Sequence, residues 1–227
     1  MYDAVLFDID DTLCRYRRSA DEVLADAFAA VGVEPYFGSE PYHDRYPEFV
    51  ESTDGIEQLR EECFAAISEE RGRDPDLGRA VAEAFAAARD HTNVEPLSGV
   101  HDAVERLARD HRIGVVTNGA PEMQRAKLRR LGLDDRFETI VYAGYDALAK
   151  PHPEPFERAL DEIETVPSRA VHVGNSLGSD VAGAHAAGID SAWLDADTTP
   201  DPVPTHVLSS MAELTSPPWE KDATRRS

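Results

Sequence analysis

Ala4-Val5-Leu6-Phe7-Asp8-Ile9-Asp10-Asp11-Thr12-Leu13 is the stretch that decides the fold. Its first four residues are all apolar. A strand of that kind hides both faces, as strands of a parallel sheet do. The run then changes character at one residue. Three carboxylates fall within four positions at the end of a buried strand, where like charges repel in a low dielectric. They call for a cation. Hard oxygen ligands with open positions suit magnesium, which takes one or two carboxylates, waters and substrate phosphate.

Outward from this stretch the chain first turns helical. Ser19 and Glu22 make a capping box. Val23, Leu24, Ala27, Phe28 and Val31 recur at helical spacing until Gly32. Ile56, Leu59, Cys63 and Ile67 form a second helical stripe, and Leu77, Val81 and Phe85 a third. Pro35 to Phe49, between the first two, reads as turn-rich and aromatic. Nothing from 14 to 92 alternates as a strand would, which predicts an all-helical insert. From Pro96 helices and short apolar strands alternate. Helices are predicted over 100–109, 121–131, 153–163 and 179–187, and strands over 113–117, 139–143, 170–173 and 191–194. The predicted fold is α/β, a Rossmann-like parallel sheet with helices on both faces and an inserted α-helical cap. The domains are a core of 1–14 and 93–215, a cap of 15–92, and a flexible tail over 216–227.

Ligands of such open sheets bind beyond the carboxyl ends of the strands. Each remaining strand end offers something there. Thr117-Asn118-Gly119 supplies a hydroxyl, an amide and accessible backbone N–H groups, all donors to phosphate. Lys150 stands in Ala149-Lys150-Pro151-His152-Pro153. Only Lys127, Lys150 and Lys221 are lysines in the whole chain, so an ammonium retained here suits an anionic partner. Gly174-Asn175-Ser176-Leu177-Gly178-Ser179-Asp180 adds oxygen ligands, with Ser179 read as a helix cap. His43, His152 and His172 read as isolated structural residues, and Cys14 and Cys63 as packing.

Composition narrows the partners. The 227 residues hold 44 acidic against 23 basic side chains, a formal charge of −21. That surface repels nucleic acid and anionic lipid, which excludes both as partners. No apolar run is long enough to span a bilayer. The start, Met1-Tyr2-Asp3, lacks a signal peptide's basic flank, so a cytoplasmic location is expected. Acidity with so little lysine also points to a halophilic source, where salt screens the self-repulsion.

Taken in order, Asp8-x-Asp10-x-Thr12, Thr117, Lys150 and Gly174-Asn175-x4-Asp180 resemble the motifs of the haloacid dehalogenase-like hydrolases. The resemblance covers about residues 1–14 and 93–195. It implies a hydrolase acting on a small phosphomonoester, a small phosphorylated metabolite, through an aspartyl-phosphate. Asp8 would be the nucleophile. Asp10 would protonate the leaving oxygen and then deprotonate water. Thr117 and the backbone N–H of Asn118 would hold phosphate oxygens, and Lys150 would neutralise Asp8 and the phosphoryl group. Mg2+ would sit on Asp8, the carbonyl of Asp10, Asn175 and Asp180. Asn175 is a departure, since many members carry an acid there; Asp180 is then expected to bring this loop's acidic metal contact. Arg15, Arg17 and Arg18 are expected to pair with the acidic surface, and Tyr36, Phe37, Tyr42, Tyr46 and Phe49 to pack between cap helices. A 2-haloacid dehalogenase using the same nucleophile and a non-catalytic phosphate-binding member are the alternatives. A phospho-receiver domain is opposed by the position of the acidic strand and by the long insert.

Overall fold

The computed structural model describes residues 2–49, 52–53, 55–194 and 199–220. Ala4–Phe7 forms β1, with every residue buried. It lies in the middle of a six-stranded sheet with β4 (Arg112–Thr117), β5 (Thr139–Tyr142), β6 (Ala170–Gly174), β7 (Asp190–Leu194) and β8 (His206–Leu208), in the order β5-β4-β1-β6-β7-β8. All neighbours run parallel. From β1 the sheet grows to one side through β4 and β5, then crosses to the other through β6, β7 and β8. The carboxyl ends of β1, β4 and β6 therefore meet at the place where ligands of such sheets bind.

Helices cover the sheet because its strands alternate two apolar faces. Ala4, Leu6, Val116 and Val141 pack with Phe156, Ala159 and Leu160 of α7 (Glu154–Glu162) and Ala184 of α8 (Ala182–Ala186). Val5 and Phe7 point the other way and are equally buried. α5 (Val100–Leu107) and α6 (Pro121–Leu131) complete the core helices. The predicted helix over 179–187 is instead a π turn, Leu177–Val181, running into α8; Ser176 rather than Ser179 caps it, accepting from the Ser179 N–H. β8 escapes the sequence pattern because it is only three residues long. Part of the tail is not loose. Trp219 is buried edge-on against Tyr2, and both carboxylate oxygens of Glu220 accept from Arg106. The tail beyond 220 lies outside the described residues.

The chain divides into two compact units, residues 1–15 with 94–227 and residues 16–93. The second is helical: α1 (Ala20–Val31), α2 (Glu40–Phe49), α3 (Ile56–Glu70) and α4 (Pro75–Ala88). The Ser19–Glu22 capping box and left-handed Gly32 bound α1 as read. Helix α2 corrects the turn reading of 35–49. Pro41 and Pro47 speak against a helix locally, but Tyr42 is buried against Phe64, and tertiary packing overrides propensity. Phe37, Tyr42, Phe64 and Phe85 form the interior, with Tyr36, Tyr46 and Phe49 packed on it. Gly78 lets α3 and α4 touch: a Cβ there would lie 2.3 Å from the Phe64 carbonyl oxygen. The joining segments carry two strands the pattern does not reveal, β2 (Cys14–Tyr16) and β3 (Val94–Pro96), a separate two-stranded sheet. Among the described residues no helix is long and apolar enough to cross a membrane.

Candidate active site

Asp8 is the first residue beyond β1, and its N–H donates to the Val173 carbonyl of β6. The residue is thereby fixed at the carboxyl end of the sheet's central strands, buried but for 7% of its surface. After it the backbone doubles back. Leu13 and Cys14 both donate to the Ile9 carbonyl, and Asp11 sits at φ 54, a left-handed position that Asp tolerates. Asp10 is left half-exposed beside Asp8. Cys14 is buried inside this turn, and burial with nearby acidic charge pushes its thiol up to about 12, so it is inert packing.

Lys150 reaches Asp8 from the loop after β5. Its Nζ donates to Asp8 Oδ1 at 2.9 Å, to Asp180 Oδ1 at 2.6 Å and to the Val116 carbonyl at 2.8 Å. Burial works against its charge, yet Asp180 and Asp8 outweigh burial and hold it above its ordinary value. Burial pushes Asp8 up to about 6; Lys150 pulls the other way, and Asp180 and Asp10 add to the rise. Burial also disfavours charge on Asp180, but Lys150 and the His172 hydrogen bond hold it well below the usual carboxylate range. His172 is corrected here. It is not isolated: its Nε2 lies 3.0 Å from Asp180 Oδ1. Burial keeps the imidazole below its ordinary value, hence neutral and donating.

The amide of Asn118 does a different job from the one its position suggests. Its Nδ2 donates to the Lys150 carbonyl at 2.9 Å and its Oδ1 accepts from the Lys150 N–H at 2.8 Å. The side chain pins the lysine loop to the end of β4. Thr117 is buried, and its Oγ1 accepts from Gln124 Nε2 at 3.1 Å. Gln124 also donates to Asp10 Oδ2 at 2.8 Å, and Lys127 Nζ donates to both Asp10 oxygens at 2.6 and 2.8 Å. Neither α6 residue was singled out for the site from sequence. The signal was present: two of the chain's three lysines sit on these carboxylates. Gly119 is explained by the same helix, since a Cβ there would lie 1.9 Å from Gln124 Nε2.

The last loop is built around Asp180. Its Oδ2 accepts from the Ser176 N–H at 3.0 Å, and a Cβ on Gly174 would lie 2.3 Å from its Cγ. Both Asp180 oxygens are thus already engaged by Lys150, His172 and Ser176, which makes it a poor first choice as a metal ligand. Among the described residues Asn175 Oδ1 accepts from the Thr12 hydroxyl, at a long 3.4 Å. Among the described residues no three His, Cys, Asp or Glu side chains converge as a metal cage. A magnesium ion suits the donors that remain, one carboxylate, one backbone carbonyl and one amide, because it keeps several waters and a substrate phosphate.

A buried carboxylate facing a lysine, with a second carboxylate two residues on, is joined by the family comparison. The haloacid dehalogenase-like hydrolase family model matches residues 2–188. The chain belongs to the haloacid dehalogenase-like hydrolases. Within the family it is 30% identical to a phosphoserine phosphatase of Thermus thermophilus, over 87% of this chain and 90% of that protein. A 2-haloacid dehalogenase structure from Pseudomonas syringae is 28% identical, covers 100% of both chains and superposes with a TM-score of 0.65. The HAD-hydrolase YfnB of Bacillus subtilis, solved with magnesium bound, shares the fold with a TM-score of 0.75 at 24% identity, over 94% of this chain and 96% of that one.

Proposed function

We propose that this hydrolase is a magnesium-dependent phosphatase of small phosphomonoesters that works through an aspartyl-phosphate on Asp8. The observation that carries the reading is the placement of Asp8 between Lys150 and Asp10 at one strand end. Asp8 attacks phosphorus as the bond to the leaving oxygen breaks. Asp10 gives its proton to that oxygen, then takes one from the water that opens the acyl-phosphate. Thr117 and the Asn118 N–H hold phosphate oxygens. Lys150 offsets the charge that Asp8 and the phosphoryl group bring together. Asp8, the Asp10 carbonyl and Asn175 would hold a magnesium ion, with Asp180 adding its negative charge from the same loop. When bound, the ion supplies positive charge to the transferring phosphoryl oxygens.

The dehalogenase reading has a specific relative behind it. A halide leaves without a proton, however, so that chemistry gives Asp10 no task, whereas an alkoxide leaving group needs a proton donor at its position. A panel of phosphoserine, sugar phosphates, nucleotides, phosphoglycolate and 2-haloacids, each with magnesium and with chelator, separates the two. Phosphate release that stops in chelator is expected. Halide release without phosphate release overturns the reading. The −21 charge is read as adaptation to high intracellular salt, so the melting temperature is expected to rise from low to molar potassium chloride.

A further inference from the structure

Lys127 and Gln124 raise a question that the phosphatase reading leaves open. They stand three apart on α6, hence on one face of the helix. Their neighbours on that buried face, Leu128 and Leu131, are apolar. Both polar side chains are 1% exposed. Burying an ammonium is unfavourable, and apolar residues in place of buried charges are often at least as stable. A purely structural position here would be better filled by a residue like its neighbours. What Lys127 does instead is touch both oxygens of Asp10, while Gln124 bridges Asp10 Oδ2 and Thr117 Oγ1. A carboxylate gripped on both oxygens has one side-chain torsion. The chain also keeps residue 119 free of a Cβ that would collide with Gln124.

We propose that Lys127, assisted by Gln124, is a positioning residue: it fixes the Asp10 carboxyl for proton transfer and offsets the negative charge left there when the proton moves to the leaving oxygen. The inference rests on the phosphatase reading. The step balances. The bond from phosphorus to the leaving oxygen breaks as the Asp8–phosphorus bond forms, and the Asp10 proton ends on the leaving group. Water later returns a proton to Asp10 as its oxygen replaces Asp8 on phosphorus. Lys127 exchanges no proton in either step.

Leaving groups of different basicity test this. 2,4-Dinitrophenolate departs without help, whereas phenolate needs the proton. In Lys127→Met, kcat/KM for phenyl phosphate should fall about 30- to 100-fold, within the range a general acid supplies. For 2,4-dinitrophenyl phosphate the fall should stay under about threefold, since acid catalysis contributes little there. Because Asp10 is half-exposed and water can replace the lysine, the melting temperature should change little. Beryllium trifluoride with magnesium, measured by calorimetry, should bind as tightly as to wild type. Lys127→Gln keeps a donor without the charge and should lie between, which also covers poor folding of the methionine variant. Equal losses for the two esters, unchanged kinetics, or lost beryllium trifluoride binding would each overturn the inference alone. A wild type that hydrolyses no aryl phosphate would overturn the phosphatase reading, and this inference with it.

Discussion

The interiors of the two units are filled on opposite principles. In the sheet unit, the ends of β1, β4 and β6 bury Asp8, Thr117, Lys150, His172 and Asp180 together, with Gln124 and Lys127 close by. In the helical unit, residues 16–93, aromatic rings meet edge to face around Phe64, with Phe37, Tyr42 and Phe85 at 5.2, 5.3 and 5.8 Å. The first arrangement is costly unless every charge has a partner. The second is stable without direction, through burial and ring geometry. Buried charges gather at the strand ends of the sheet unit, whereas the helical unit buries the charge of Arg60 over the Phe85 ring, away from any carboxylate cluster.

That contrast is easiest to break at its most strained point. Asp8→Asn should abolish turnover, a loss on the order of 10⁴-fold or more for a nucleophile, while the folded protein persists. Wild-type rates in the variant would remove the chemistry from the sheet unit. Next come two stability losses of similar size and different origin. Lys150→Met leaves Asp8 and Asp180 buried without their cation and should cost about 3–5 kcal/mol. Phe64→Ala empties the helical interior and should cost about 3–5 kcal/mol. Urea unfolding at two ionisation conditions tells them apart. The lysine variant should recover stability as the pH falls toward 4; the phenylalanine variant should not.

A smaller effect follows from Asp8 itself. Its carboxyl ionises near 3.8 when unfolded and at about 6 when folded. Between those values the native state binds more protons, so stability drops as pH rises through the window, by up to roughly 3 kcal/mol. Asp180, depressed by Lys150, works in the opposite sense and loses its contribution only below the ordinary carboxylate value. Unfolding of metal-free protein at pH 4 and pH 6, wild type against Asp8→Asn, measures the first term; a drop that survives the substitution would assign it elsewhere. The smallest effect concerns Asn175. Three carboxylates, Asp8, Asp10 and Asp180, face two ammoniums. Asn175→Asp adds one charge and should tighten the apparent magnesium affinity about three- to tenfold, on the order of 1 kcal/mol. Unchanged magnesium titration of activity would mean that Asn175 does not touch the ion.

Much of this was legible along the chain. The four apolar residues before Asp8, the alternation after Pro96 and the capping box of α1 rest on local periodicity, and local periodicity survives folding. Helix α2 was not legible, because Pro41 and Pro47 argue against it and only Tyr42 packing on Phe64 decides for it. His172 gave no signal in a strand of four apolar-looking neighbours, yet it holds Asp180 from across eight residues. Trp219 read as tail because its partners, Tyr2 and His206, are distant in sequence.

By itself the sequence determined a parallel sheet, a helical insert and the strand ends at which polar residues gather, since these follow from spacing along one chain. The tertiary structure alone decided who meets whom there. Lys127 lies 117 positions from Asp10, and Lys150 lies 142 from Asp8. Asn118 clasps the Lys150 backbone, and Asp180 turns toward Lys150 and His172. The physical reason is that a charge buried at the ends of a sheet's strands is satisfied by whichever partner the crossing helices and loops bring within 3 Å, and a crossing connection leaves no period in the sequence.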